Sequence, residues 1–169
     1  KAAGGMQHAS NHLVLLAKNR TGFRNLTKLS SKGYTEGYYY NPRIDKELLQ
    51  QHSEGLICLS ACISGEVAHL LKQEGLSAAQ QTAEEYRTIF GDDYFLEIQR
   101  HGVDGEEKVN DGLLKLHQKL DIPLVATNDF HFLKKEHYAA HDALVCIQMG
   151  KNISDQNRLC YPKDLYLKS

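Results

Sequence analysis

Asp129 and His131 stand two residues apart, just after the apolar run Ile122-Pro123-Leu124-Val125-Ala126. Side chains in extended backbone alternate with period two, so a carboxylate and an imidazole at this spacing project from one side and can hold one metal ion together. An Asp oxygen with a His nitrogen suits zinc or manganese. If the apolar run is a buried parallel strand, the pair falls at its carboxyl end, where α/β folds gather catalytic groups. Alone, an Asp-x-His is more often a turn cap beside a packed ring than a metal site, because short motifs match by chance. Arg100 and His101 follow another apolar segment. They could offer cationic groups to a phosphate, Arg through its bidentate fork, and a solvated ion pair satisfies them equally well. His137 and His141 lie four apart with no third ligand beside them, so they read as surface and structural residues respectively.

Strands alternating with helices are the elements that must position these groups. Residues 12–17 form a continuous apolar run, expected as a strand covered on both faces, and residues 22–32 a helix. Residues 34–42, with three consecutive tyrosines, read as a loop; Asp45 opens a short helix to Gln51, and Gly55 separates it from a buried strand at 56–60. A helix at 66–74 follows, and Ser77 is the expected N-cap of the next, with Ala79, Ala83, Tyr86 and Phe90 on its apolar stripe. Residues 94–98 are the third strand. Asp104 and Glu107 form an expected capping pair ahead of a helix burying Val109, Leu113, Leu116 and Leu120. Residues 123–127 are the fourth strand, and a helix at about 136–147 precedes a polar, irregular tail. This order calls for an α/β architecture with parallel strands, in an open sheet or as part of a barrel. Four strands do not close a barrel, and a (β/α) barrel needs roughly 200 residues or more. Residues 1–10 supply no opening strand, so a truncated chain is expected.

Composition excludes several classes. At 169 residues, 41% hydrophobic and 24% charged, the chain has apolar material for one core and no run long enough to span a bilayer. Lys and Arg total 20 against 21 for Asp and Glu, so no global positive field draws it onto nucleic acid. Contact with DNA must be local or made through a metal. Lys18, Arg20, Arg24, Lys28 and Lys32 give the first helix a basic side that could touch DNA or an acidic partner, although a solvated face is the commoner explanation. Cys58, Cys62, Cys146 and Cys160 lack the paired spacing of a structural zinc site and are expected reduced. With no charged leader before an apolar signal region, a cytosolic location is expected.

Seven segments in order carry a family resemblance: HLVLLAKN from His12, GFRNL from Gly22, GLICLSACISGE from Gly55, YFLEIQRH from Tyr94, VATNDFH from Val125, AHDALVCIQ from Ala140 and LYLKS from Leu165. Together they resemble the PHP (polymerase and histidinol phosphatase) domain of bacterial DNA polymerase III alpha subunits. The resemblance implies a partial distorted (β/α)7 barrel, residues 1–169 being the C-terminal part of a single PHP domain whose first strands and ligand motifs precede this chain. It implies a metal cluster to which His12, Cys62, Asp129 and His131 contribute, binding zinc and/or manganese, with Asp129 and His131 catalytic. Magnesium would serve the polymerase site outside this chain.

The function implied is DNA-directed DNA polymerisation by the parent protein, with a metal-dependent 3′-to-5′ exonuclease for proofreading in this domain; the segment alone is expected to be inactive. Implied partners are DNA, the remaining polymerase domains and replisome subunits such as a sliding clamp or a proofreading subunit, with no membrane. Two alternatives stay open. One is a free-standing phosphoesterase of the histidinol phosphatase type. The other is a non-catalytic scaffold that docks a proofreading subunit.

Overall fold

The computed structural model describes residues 10–168. The expected opening loop at 1–10 lies almost wholly outside them, as does Ser169. Four strands form one open sheet in the order β1 (Val14–Ala17), β2 (Leu56–Leu59), β3 (Tyr94–Ile98) and β4 (Leu124–Ala126). Between and after them run α1 (Arg20–Thr35), α2 (Lys46–Gln51), α3 (Glu66–Gln73), α4 (Leu76–Phe90), α5 (Glu106–Leu120) and α6 (Tyr138–Met149). Short 3-10 turns occupy Gly91–Asp93 and Lys135–His137. Among the described residues no helix is long and apolar enough to cross a membrane.

The core follows from periodicity. Leu56 and Cys58 on β2 and Tyr94 and Leu96 on β3 point to one face and are almost wholly buried against Ala79, Ala83, Tyr86 and Phe90 of α4 and Val109, Leu113 and Leu116 of α5. Burial pushes the Cys58 thiol and the Tyr94 hydroxyl well above their ordinary pKa ranges, so both stay neutral. The Asp45 side chain caps α2 as expected, accepting from Leu48 N at 2.8 Å.

Three local expectations need correction. β2, β3 and β4 are parallel, but β1 pairs antiparallel with β2, Val14 opposite Leu59 and Ala17 opposite Leu56. β1 is an edge strand and not covered on both faces; Leu16 is 49% exposed. An apolar run reads alike in either direction, so sequence left the direction open. Ser77 is not a cap, because Gly75, at φ +95°, turns the chain out of α3 and straight into α4, placing Ser77 inside the helix. Nor do Asp104 and Glu107 form a capping pair: Gly105, at φ +80°, folds the preceding loop back so that Glu106 caps it instead.

α1 seats against the start of β2 through two glycines. A Cβ on Gly22 would lie 1.8 Å from the Gly55 carbonyl oxygen, a backbone atom that cannot rotate away. Gly22→Ala should therefore destabilise the fold by about 1–3 kcal/mol through overpacking. Denaturant unfolding tests this, and an unchanged midpoint would show that α1 shifts freely.

The tail is irregular but anchored. Arg158 grips Asp142 of α6 in a fork, Nη1 to Oδ1 at 2.5 Å and Nη2 to Oδ2 at 2.9 Å, and this hydrogen bonding holds the Asp142 carboxyl below the usual carboxylate range. A depressed folded pKa contributes stability that is present above the unfolded value of about 3.9 and lost as pH falls through the folded value. Proteolysis within 151–168 should thus accelerate as pH is lowered through that range. Asp142→Asn should make cleavage fast already at neutral pH, and equal rates for the two proteins there would refute the anchor.

Candidate metal centre

The loops at the carboxyl ends of β2, β3 and β4 converge on one end of the sheet, and the reversed direction of β1 brings its beginning to the same end. His12, just before β1, donates its backbone N–H to Ser64 O at 3.0 Å and forms a parallel bridge with Gly65. Cys62 lies in the turn after β2. Its Sγ is 3.6 Å from His12 Nδ1. Two ligands of a tetrahedral zinc, with the usual Zn–S and Zn–N bond lengths, would stand about 3.6 Å apart, so the pair fits a shared ion as well as it fits an S–H···N contact.

Asp129 and His131 sit in the loop beyond β4, which ends at Ala126. They are not on an extended strand as their spacing suggested. The loop nevertheless keeps them together, with His131 Nδ1 4.0 Å from Asp129 Oδ1 and 3.0 Å from the Asp129 carbonyl oxygen. A proton on Nδ1 donated to that carbonyl leaves the Nε2 lone pair free, a tautomer able to bind a metal. The ring is packed by Tyr161 at 4.6 Å and His141 at 5.8 Å between centroids. His141 is half-buried, its Nδ1 without a hydrogen-bond partner, and His137 is exposed.

The two pairs share an end of the sheet but not an edge. They belong to β1–β2 on one side and β4 on the other, and the two to three strand spacings between them amount to about 10–14 Å. Among the described residues no three His, Cys, Asp or Glu side chains converge on a common point. The open sheet therefore presents two half-sites of metal-binding type.

Between them lies a polar network that motif reading did not nominate. Alternation turns Glu97 of β3 away from the face bearing Tyr94 and Leu96, yet it is only 5% exposed. Its Oε1 accepts from Gln99 Nε2 at 3.0 Å and from the Thr127 hydroxyl, while Oε2 has no protein partner. Its backbone N–H donates to Ser60 Oγ at 2.8 Å. A small cavity lined by Cys62, Glu97, Gln99, Glu106 and Asn110 adjoins this group. The sequence signal was a lone glutamate inside an apolar strand.

Arg100 and His101 do not act as a pair. The Arg100 guanidinium is exposed and sits 3.1 Å from Glu107. His101 is buried, with Nδ1 3.2 Å from Glu106 Oε1 and Nε2 3.1 Å from Asn128 Oδ1. Asn128 Nδ2 in turn donates to Tyr166 O at 2.8 Å, so this relay ties the β3 loop, the Asp129 loop and the tail together.

Comparison with known proteins agrees with this architecture. The family described as "PHP domain" matches residues 3–101. Proteins named "DNA polymerase III subunit alpha" are 54% identical in Treponema pallidum and 48% in Deinococcus radiodurans, each over 94% of this chain, and 41% in Thermus aquaticus over 100% of it. The chain spans 12–14% of the length of those relatives. With more than half its length matched, an α/β sheet of the expected kind and ligand-type residues at one end of that sheet, the chain belongs to the PHP domain family.

Proposed function

We propose that residues 1–169 are the C-terminal part of a single PHP domain in a bacterial replicative DNA polymerase, and that its His12, Cys62, Asp129 and His131 contribute to a metal-dependent 3′-to-5′ exonuclease site. The 3.6 Å contact between His12 and Cys62, 50 residues apart in sequence, carries this reading, because it joins two zinc-type ligands from separate elements at the end of the sheet where Asp129 and His131 also lie. Extension of the domain beyond the matched region is supported by β4, which pairs with β3 through Leu96–Leu124 and Ile98–Ala126.

Zinc or manganese bound there would lower the pKa of a bound water and neutralise phosphate oxygens during phosphodiester hydrolysis. The chain's own residues prepare the place. His131, with Nδ1 engaged by the Asp129 carbonyl, has Nε2 free to bind, Asp129 supplies negative charge, and Glu97 adds a buried carboxylate between the half-sites. Arg100, exposed beyond β3, is the group able to reach a substrate phosphate, and His101 holds the loop that presents it. Each pair alone completes too little of a coordination sphere for tight binding, so the segment by itself is inactive. Polymerisation with magnesium belongs to the rest of the polymerase, whose other domains, DNA and replisome subunits are the proposed partners, in the cytoplasm. A free-standing phosphoesterase fits poorly with relatives roughly seven times the length of this chain.

Cobalt(II) substitution of the full-length protein tests the assignment of Cys62. A thiolate-to-metal absorption band is expected in the wild type, and Cys62→Ser should abolish it together with most 3′-end degradation. A band that persists in the variant would remove Cys62 from the ligand set.

A further inference from the structure

We propose that the outward face of α1 and the tyrosine-rich loop that follows it bind an unpaired DNA strand. The choice of DNA rests on the polymerase reading; the surface itself is read from its residues. Although the whole chain is nearly neutral, the sixteen residues of α1 contain four cations and no acid. Arg20, Arg24, Lys28 and Lys32 recur at intervals of four, which drift by only about 40° per step and form one stripe. Lys32 pairs with Glu36 at 3.1 Å, whereas Arg20, Arg24 and Lys28 are exposed and have no acidic partner among the described residues.

An aromatic row flanks the cations. Phe23 and Tyr34 are about three turns apart and so share a face, and they are 64% and 63% exposed. Tyr34 stacks on Tyr38 with centroids 6.4 Å apart, extending the row into the loop. There Tyr40 is 81% exposed and held at φ +60°, a left-handed conformation that costs a bulky L-residue free energy and is commonest at functional sites. Large rings turned to water beside unneutralised cations are poor solubility chemistry but suit a strand whose bases stack on the rings while its phosphates meet the guanidinium and ammonium groups.

Topology places this surface relative to the candidate metal centre. The start of α1 is fixed at the beginning of β2, where Asn25 Nδ2 donates to Glu54 O at 2.9 Å. A helix of this length runs about 24 Å, carrying its far end and the tyrosine loop toward the end of the sheet that holds His12 and Cys62. A strand lying along α1 would thus be led to the half-sites.

Photocrosslinking of a short 5-iodouracil oligodeoxynucleotide to the full-length protein tests this, with mapping of the tryptic peptide 33–43. Crosslinks on that peptide are expected. Arg24→Glu with Lys28→Glu, and separately Tyr38→Ala with Tyr40→Ala, should lower the yield at least about five-fold without moving the melting temperature, and duplex competitor should displace far less than single strand. Crosslinks confined to other peptides, a yield indifferent to charge reversal, or equal displacement by duplex would each overturn the proposal. So would charge reversal that abolishes binding of another protein and leaves the DNA crosslink intact. Crosslinking is scored on peptide 33–43 without added metal and the nuclease reading by 3′-end degradation, so failure of the nuclease reading and failure of this one are separately visible.

Discussion

Asp129→Asn in the full-length protein is expected to lower 3′-end degradation at least about 100-fold while leaving primer extension unchanged. The amide keeps the carboxylate's volume but removes its negative charge, and even groups that merely support metal ligands cost 10–100-fold when lost. Folding should survive, because the residue lies on an exposed loop outside the core and His131 keeps its bond to the backbone carbonyl of residue 129. Degradation and extension measured side by side, with added zinc or manganese, decide the matter. Equal degradation by the two proteins would sink the nuclease assignment and favour the scaffold alternative. A parallel fall in both activities would instead assign the metal a folding role, since ligand binding to the native state contributes folding free energy.

Glu106→Ala is expected to cost about 2–4 kcal/mol of stability, a fall in melting temperature of roughly 10 °C. Glu106 Oε2 accepts from the backbone N–H groups of buried His101 and exposed Gly102 at 2.7 and 2.9 Å, and Oε1 faces the buried His101 ring. Removing the carboxylate leaves the His101 N–H and ring without their buried partner, each costing about 1–3 kcal/mol, while water can take over Gly102 N–H. Glu106→Gln keeps one acceptor oxygen and should restore part of the loss. A change below about 1 kcal/mol would mean that water reaches the loop and that the relay to Asn128 is not structural.

Legibility in the sequence varied with the kind of signal. The β3 segment and the stripe Ala79, Ala83, Tyr86, Phe90 were readable because period and burial coincide there. Asp45 was readable because its cap bond is local. Strand direction was not, because Val14 to Ala17 carries no mark of its partner, and this obscured His12, which looks misplaced at a strand's start until that strand is seen to run backwards. Glu106 was missed because a capping pattern fixes residue types three apart and ignores how a glycine at φ +80° redirects the chain. Spacing nominated Asp129 and His131 whereas His12 and Cys62 came only from family resemblance, and the structure adds that the four stand as two pairs across an open sheet. Glu97 went unnoticed because its burial depends on Ser60 and Thr127, distant in sequence.

The antiparallel edge strand gives the His12–Cys62 contact a second meaning. Side chains alternate along a strand, so a slip of β1 past β2 by one residue would turn every β1 side chain to the other face and break the contact. Edge strands are where such slips are least resisted, having hydrogen bonds on one side only. An ion shared by these two residues would therefore act as a register lock, making metal affinity and the alignment of this edge strand two measures of one equilibrium.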